Sequence, residues 1–88
     1  MTIRQKTKTY AARVKDANTM LVGHRTMRPM TITVTFADAD GKWIFRHVRV
    51  VGNALGRENI RRTAVWHEVD LADAPDWVQR FVNNPEGS

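Results

Sequence analysis

The sequence predicts an α+β domain, an antiparallel β-meander of four to five strands followed by one C-terminal α-helix. Three observations lead there. Residues 30–36 alternate strictly, with Met30, Ile32, Val34 and Phe36 separated by Thr31, Thr33 and Thr35, the pattern of a strand with one wet face. Asp40-Gly41 follows, a pair that tolerates positive φ and so favours a tight hairpin turn. Near the end, Trp77, Val78, Phe81 and Val82 form a compact apolar stripe at helical spacing. With 88 residues the chain forms one domain, because chains divide only beyond roughly 250 residues. Residues 1–84 are assigned to it, and the polar, breaker-rich 85–88 to a flexible tail.

In chain order, Tyr10, Ala12 and Val14 alternate, Lys15-Asp16-Ala17-Asn18 resembles a turn, and Thr19 to Arg25 returns, so this region reads as a hairpin. The spacing of Tyr10, Val14, Ala17 and Leu21 also fits a helix. Pro29 suits a strand entry, and residues 30–51 form the clearest hairpin. Its second arm has a parity conflict: Trp43 and Phe45 point one way, Val48 and Val50 the other. One extra residue near Arg46-His47, a β-bulge, brings all four to one face; the alternative is a sheet buried on both faces at its Trp43 end. Gly52-Asn53-Ala54-Leu55-Gly56 reads as a loop. Beyond Arg57 to Arg62, Val65, Val69 and Leu71 alternate with Trp66, Glu68 and Asp70 as a further strand, which puts Trp66 and Arg62 on its wetter side. A helix at 74–83 then begins with Asp73 as a cap, Pro75 with its pre-set φ and Asp76 at the positive helix end. It stops at Asn83-Asn84-Pro85 and must pack on the sheet, since so short a helix does not stand alone. The sheet either curls into a small SH3-like barrel or stays open beneath the helix.

The net charge is +5, and its distribution says more than its sum. Residues 1–62 hold 13 basic and 4 acidic side chains, whereas residues 63–88 hold 1 and 5. Such a dipolar chain suits a module that turns its basic side to an anionic partner. Arginine outnumbers lysine 10 to 4, and the guanidinium makes forked bonds to phosphate where lysine offers a point charge. The densest group is Arg46, Arg49, Arg57, Arg61 and Arg62, around a loop whose glycines allow backbone amides to approach an anion. These five are the candidate anion-binding or nucleic-acid-binding residues. A basic arm of Arg4, Lys6 and Lys8 could track a phosphate backbone, and Trp43 or Trp66 could stack on bases.

Other classes of function find no support. There is no cysteine, so disulfides, thiolate catalysis and Cys-ligated zinc are excluded. The one serine is the last residue, which leaves no Ser-His-Asp set. The loop lacks the GK[ST] ending of a P-loop. His47 and His67 fall on strands expected to be neighbours, yet no HxH or HExxH spacing accompanies them, so neither a metal nor a cofactor is expected. No apolar run approaches the roughly 20 residues of a membrane span, and the basic start is not followed by the apolar core of a signal peptide. A soluble, cytoplasmic, non-enzymatic protein is expected.

In overall style the chain resembles the small orphan accessory proteins of bacteriophages that infect high-GC actinobacteria. Arg over Lys, Asp over Glu, abundant Ala and Val, and the absence of Cys carry that resemblance. It implies an accessory protein that binds a host or phage macromolecule, and it transfers no site residues. The sequence thus suggests a binding module whose basic face meets DNA or RNA. The alternative is a module that docks on an acidic host protein or self-associates, as a homodimer, through an edge strand.

Overall fold

The computed structural model describes residues 6–14, 20–22 and 25–87. Five strands, β1 (Thr7–Arg13), β2 (Met20–Val22), β3 (Arg25–Ala39), β4 (Lys42–Ala54) and β5 (Arg57–His67), form one antiparallel sheet. The order is β1-β3-β4-β5, with β2 also paired to β3. No ladder joins β1 to β5, so the sheet is open and does not close into a barrel. A 3-10 turn (Glu68–Asp73), one helix, α1 (Asp76–Asn83), and a second 3-10 turn (Pro85–Gly87) complete the chain. The α+β meander stands.

The central hairpin is the backbone of the fold. Asp40 and Gly41 both adopt positive φ, 54° and 82°, which gives the two-residue turn whose twist matches paired strands. The Asp38 carboxylate caps it by accepting the Gly41 N–H at 3.0 Å. Phe36 pairs with Phe45 and Thr35 with His47, which leaves Arg46 as the extra residue. Of the two readings of the parity conflict, this is the bulge. Phe45 thereby packs on the same core as the fully buried Val48 and Val50.

The first region differs from its expected hairpin. β1 pairs with residues 31–37 of β3, and β2 with residues 25–27. The two strands therefore do not pair with each other. They lie one after the other along one edge of β3, both antiparallel to it. The proposed turn at 15–18, together with Arg4 and His24, falls outside the described residues.

Cross-strand register sorts the two faces. Ala12, Ile32, Val50 and Ala64 form one row and Tyr10, Val34, Val48 and Trp66 the next; both lie under α1, against Val78, Phe81 and Val82. Each buried valine, isoleucine or phenylalanine among them contributes about 1.5–3 kcal/mol on moving from water to core. Trp66 therefore covers the core, not the wet side, and it is Val65 that is exposed at 41 %. The strand also ends at His67, whose N–H donates to the Asp70 carboxylate as the chain enters the 3-10 turn. Val69 is consequently left in solvent, contrary to the alternation that placed it in a strand.

The helix starts later than expected. Pro75 is its cap residue, without a side-chain cap bond, and Asp73 ends the preceding turn. The entry is held instead by Gln79, whose Nε2 donates to the carbonyls of Ala74 at 2.8 Å and Ala72 at 3.3 Å. Past Asn84, the segment expected as a tail makes the Pro85–Gly87 turn, and Tyr10 donates its hydroxyl to Glu86 Oε1 at 3.2 Å.

Candidate nucleic-acid interface

The face of the sheet opposite α1 is built from the alternate residues of the same strands. Register aligns Arg13, Thr31, Val51 and Thr63 in one row, Ala11, Thr33, Arg49 and Val65 in the next, and Thr9, Thr35, His47 and His67 in a third. Arg28, Asn53 and Arg61 extend the face toward the β4–β5 turn. None of these side chains is buried, so the face is open over all four strand positions. With strands about 4.8 Å apart and rows about 7 Å apart, Arg13, Arg49 and Arg61 stand about 12–16 Å from one another.

The electrostatics follow from the residue types in register. The four rows contain four arginines, five threonines, two histidines and an asparagine beside Ala11, Val51 and Val65, and no Asp or Glu. Among the described residues, Asp38 and Asp40 belong to the far hairpin end, Glu58 to β5, and Glu68, Asp70, Asp73, Asp76 and Glu86 to the layer of turns and helix. Most of the acidic residues thus lie in the layer of turns and helix, which also carries Arg80, while Lys8 and Arg62 lie on the covered side of the sheet. Where opposite charges occupy opposite sides of a small domain, the field orients an anion toward the basic side before contact.

The five expected arginines do not form one cluster. Arg49 and Arg61 lie on the open face, and the bulge residue Arg46 is exposed beside His47. Arg57 is exposed where β5 begins, across from Ala54. Arg62 belongs to the other side: it pairs with the buried Gly52 and shares parity with Ala64 and Trp66. Its Nε is enclosed and forms no hydrogen bond among the described residues. The anion loop is also corrected. Gly52, Asn53 and Ala54 are part of β4, their backbone in the ladder, and the turn is Leu55-Gly56, with Gly56 at φ 77°. Gly52 serves packing, because a Cβ there would lie 2.0 Å from the Arg28 carbonyl oxygen.

Sequence reasoning missed Arg13 and Arg28. Arg13 was legible, since alternation of Tyr10, Ala12 and Val14 sends it to the opposite face. Arg28 was not, because a second register shift between Pro29 and Thr31 interrupts the alternation. His47 and His67 do face each other, with ring centroids 6.1 Å apart, but among the described residues no group of three His, Cys, Asp or Glu side chains could hold a metal. No helix in the described residues is long and apolar enough to cross a membrane.

Comparisons with protein-family models, with curated proteins and with solved structures yield no match to this chain.

Proposed function

We propose that this chain is a small non-enzymatic binding module that lays its open sheet face on nucleic-acid phosphates. The observation that supports this reading is the composition of the face: arginines and hydroxyls in register over four strand positions, with no carboxylate in any row. Arg13, Arg28, Arg46, Arg49 and Arg61 supply forked donors to phosphate oxygens. The threonine hydroxyls of β3 fill the ground between them as weaker donors. Such contacts set position and carry no base information, so binding should be largely independent of sequence. As with the accessory proteins the chain resembles in style, the role is cytoplasmic and auxiliary: it coats or positions a strand and performs no reaction on it.

The test is fluorescence anisotropy with labelled duplex and single-stranded oligonucleotides over a salt series. Each phosphate contact contributes a slope of about −0.9 in log K against log salt. Three or four contacts therefore give a slope near −3 on duplex DNA by the same relation. Absence of binding at low salt, or binding indifferent to salt, overturns the reading.

A second reading has its own observation. The outer edge of β5 has no strand partner among the described residues, and it carries the exposed Val65 and Arg61. An extended acidic segment of another protein would fit there by adding a strand. Light scattering and salt-resistant capture of an acidic peptide distinguish this mode from phosphate binding.

A further inference from the structure

On the covered side of the sheet, at the end near the Asp40-Gly41 turn, lies a cleft that the basic face does not use. It holds about 300 Å³ and is lined by Lys8, Tyr10, Phe36, Trp43, Asn83 and Glu86, among others. Strand register puts Lys8 opposite Phe36, and Phe36 opposite Phe45, so the rings continue the covered rows past the end of α1. Tyr10 and Phe36 meet edge to face at 6.0 Å, as do Phe36 and Phe45 at 6.3 Å. Trp43 is different, because it stands at the rim, 48 % exposed. The bulge at Arg46 is what turns it to this side.

The chemistry of the lining is specific. Two aromatic rings, Tyr10 and Trp43, flank the Lys8 ammonium, whose nitrogen lies 5.4 Å and 5.7 Å from their centroids. Its fully exposed ammonium is not enclosed and can swing to a new partner. Asn83 brings an amide and Glu86 a carboxylate, the latter already accepting from the Tyr10 hydroxyl. A planar ring thus finds a stacking surface in Trp43, edge partners in an amide and a carboxylate, and a cation for an anionic substituent. Ligand sites combine apolar walls with a few convergent polar groups in this way, and base recognition combines stacking, edge hydrogen bonds and a nearby cation.

We infer that the cleft formed by Lys8, Tyr10, Trp43, Asn83 and Glu86 is a nucleotide site, in which a base stacks on Trp43 and its phosphate meets Lys8. The base enters from the rim, parallel to the indole, and the ammonium leaves the two rings for the phosphate. No bond is made or broken. The site does not depend on the open face, since it lies on the opposite side of the sheet. A mononucleotide and a nucleotide within a single strand offer the same ring and phosphate, whereas a paired base in a duplex keeps its ring faces stacked and out of reach.

The experiment is tryptophan fluorescence titration of the full chain with adenosine monophosphate, adenosine, inorganic phosphate and a short single-stranded oligoadenylate. Quenching by the monophosphate, weaker quenching by adenosine and none by inorganic phosphate are expected. Trp43→Phe should abolish the quench while Trp66 and Trp77 still emit. Trp43→Ala and Lys8→Gln should each weaken binding roughly tenfold, the scale of one base–aromatic stack. Isothermal calorimetry on both variants, with melting curves that show them folded, keeps the affinities independent of the fluorophore. Equal affinity per base for monophosphate and oligonucleotide assigns a free nucleotide, and preference for the oligonucleotide assigns a single strand. No quench and no heat with either overturns the inference. Duplex binding by the open face is scored separately, so either site can fail while the other stands.

Discussion

The two faces of this sheet are cut from the same strands, one residue apart, and they behave as different materials. On the covered face, Val34, Val48 and Val50 are fully buried beneath Val78, Phe81 and Val82. On the open face, the neighbours Thr33, Arg49 and Val65 touch water. Stability resides in the first set and charge in the second, so substitutions on the two faces should separate cleanly into folding and binding effects. That separation is open to measurement.

The largest effect is expected from Phe81→Ala. Removing a buried ring costs roughly 3–5 kcal/mol, whereas Thr63→Ala on the open face should stay within about 0.5 kcal/mol; urea denaturation of both variants makes the comparison. Next comes Gly52→Ala. A Cβ 2.0 Å from the Arg28 carbonyl forces β3 and β4 apart, at a cost of roughly 1–3 kcal/mol. An unchanged melting temperature would show that the strands yield there freely.

The third test concerns charge. Paired replacement of Arg49 and Arg61 by Ala should lower the magnitude of the salt slope on duplex DNA by about 1.8, two contacts' worth, without moving the melting temperature. Arg62→Ala, on the covered side, should leave the slope as it was. Equal losses from all three would mean that binding follows total charge and not the face.

The smallest effect is a pH dependence at Lys8. Its ammonium is held above the ordinary lysine value of 10.5, first by a hydrogen bond with Tyr10, then by the charges of Tyr10 and Glu86. A raised folded value stabilises the protein below the unfolded value, and that contribution disappears as pH rises through the folded one. The stability difference between the parent and Lys8→Ala should therefore be present at neutral pH and shrink above 10.5. A constant difference would show that Lys8 acts through its alkyl stem.

Much of the covered face was legible because alternation and turn chemistry are local. Ile32 to Phe36, the Asp40-Gly41 turn and the apolar stripe of α1 each announce themselves within a few residues, whereas Met30, expected on the same face, falls at the register shift and is 50 % exposed. The bulge was legible from the parity conflict between Phe45 and Val48. What depended on a neighbouring strand was not. Val65, Val69 and Leu71 look like the inward set of β5 when read alone. Register against the buried Val48 and Val50 assigns that place to Trp66 and Ala64. Arg62 was carried inward with them, which divided the expected arginine cluster. Gly52 looked like a loop residue because its small size reads as flexibility, whereas here it answers a close approach by β3. The in-line pairing of β1 and β2 was equally hidden, since it depends on the length of β3, 15 residues, long enough to receive both.

Arg46 places an unusual constraint on how this gene can drift. Its side chain is exposed, so its identity at this position is open to change wherever charge allows. Its existence is not. Loss of that one codon would rotate everything between the hairpin turn and His47 by half a pleat, sending Trp43 and Phe45 into water while Val48 and Val50 stayed inside. The indole at the rim of the cleft and the valines that seat the helix share a side only because the arm is one residue too long. In this strand, chain length is therefore the inherited trait, and the amino acid that supplies it is secondary.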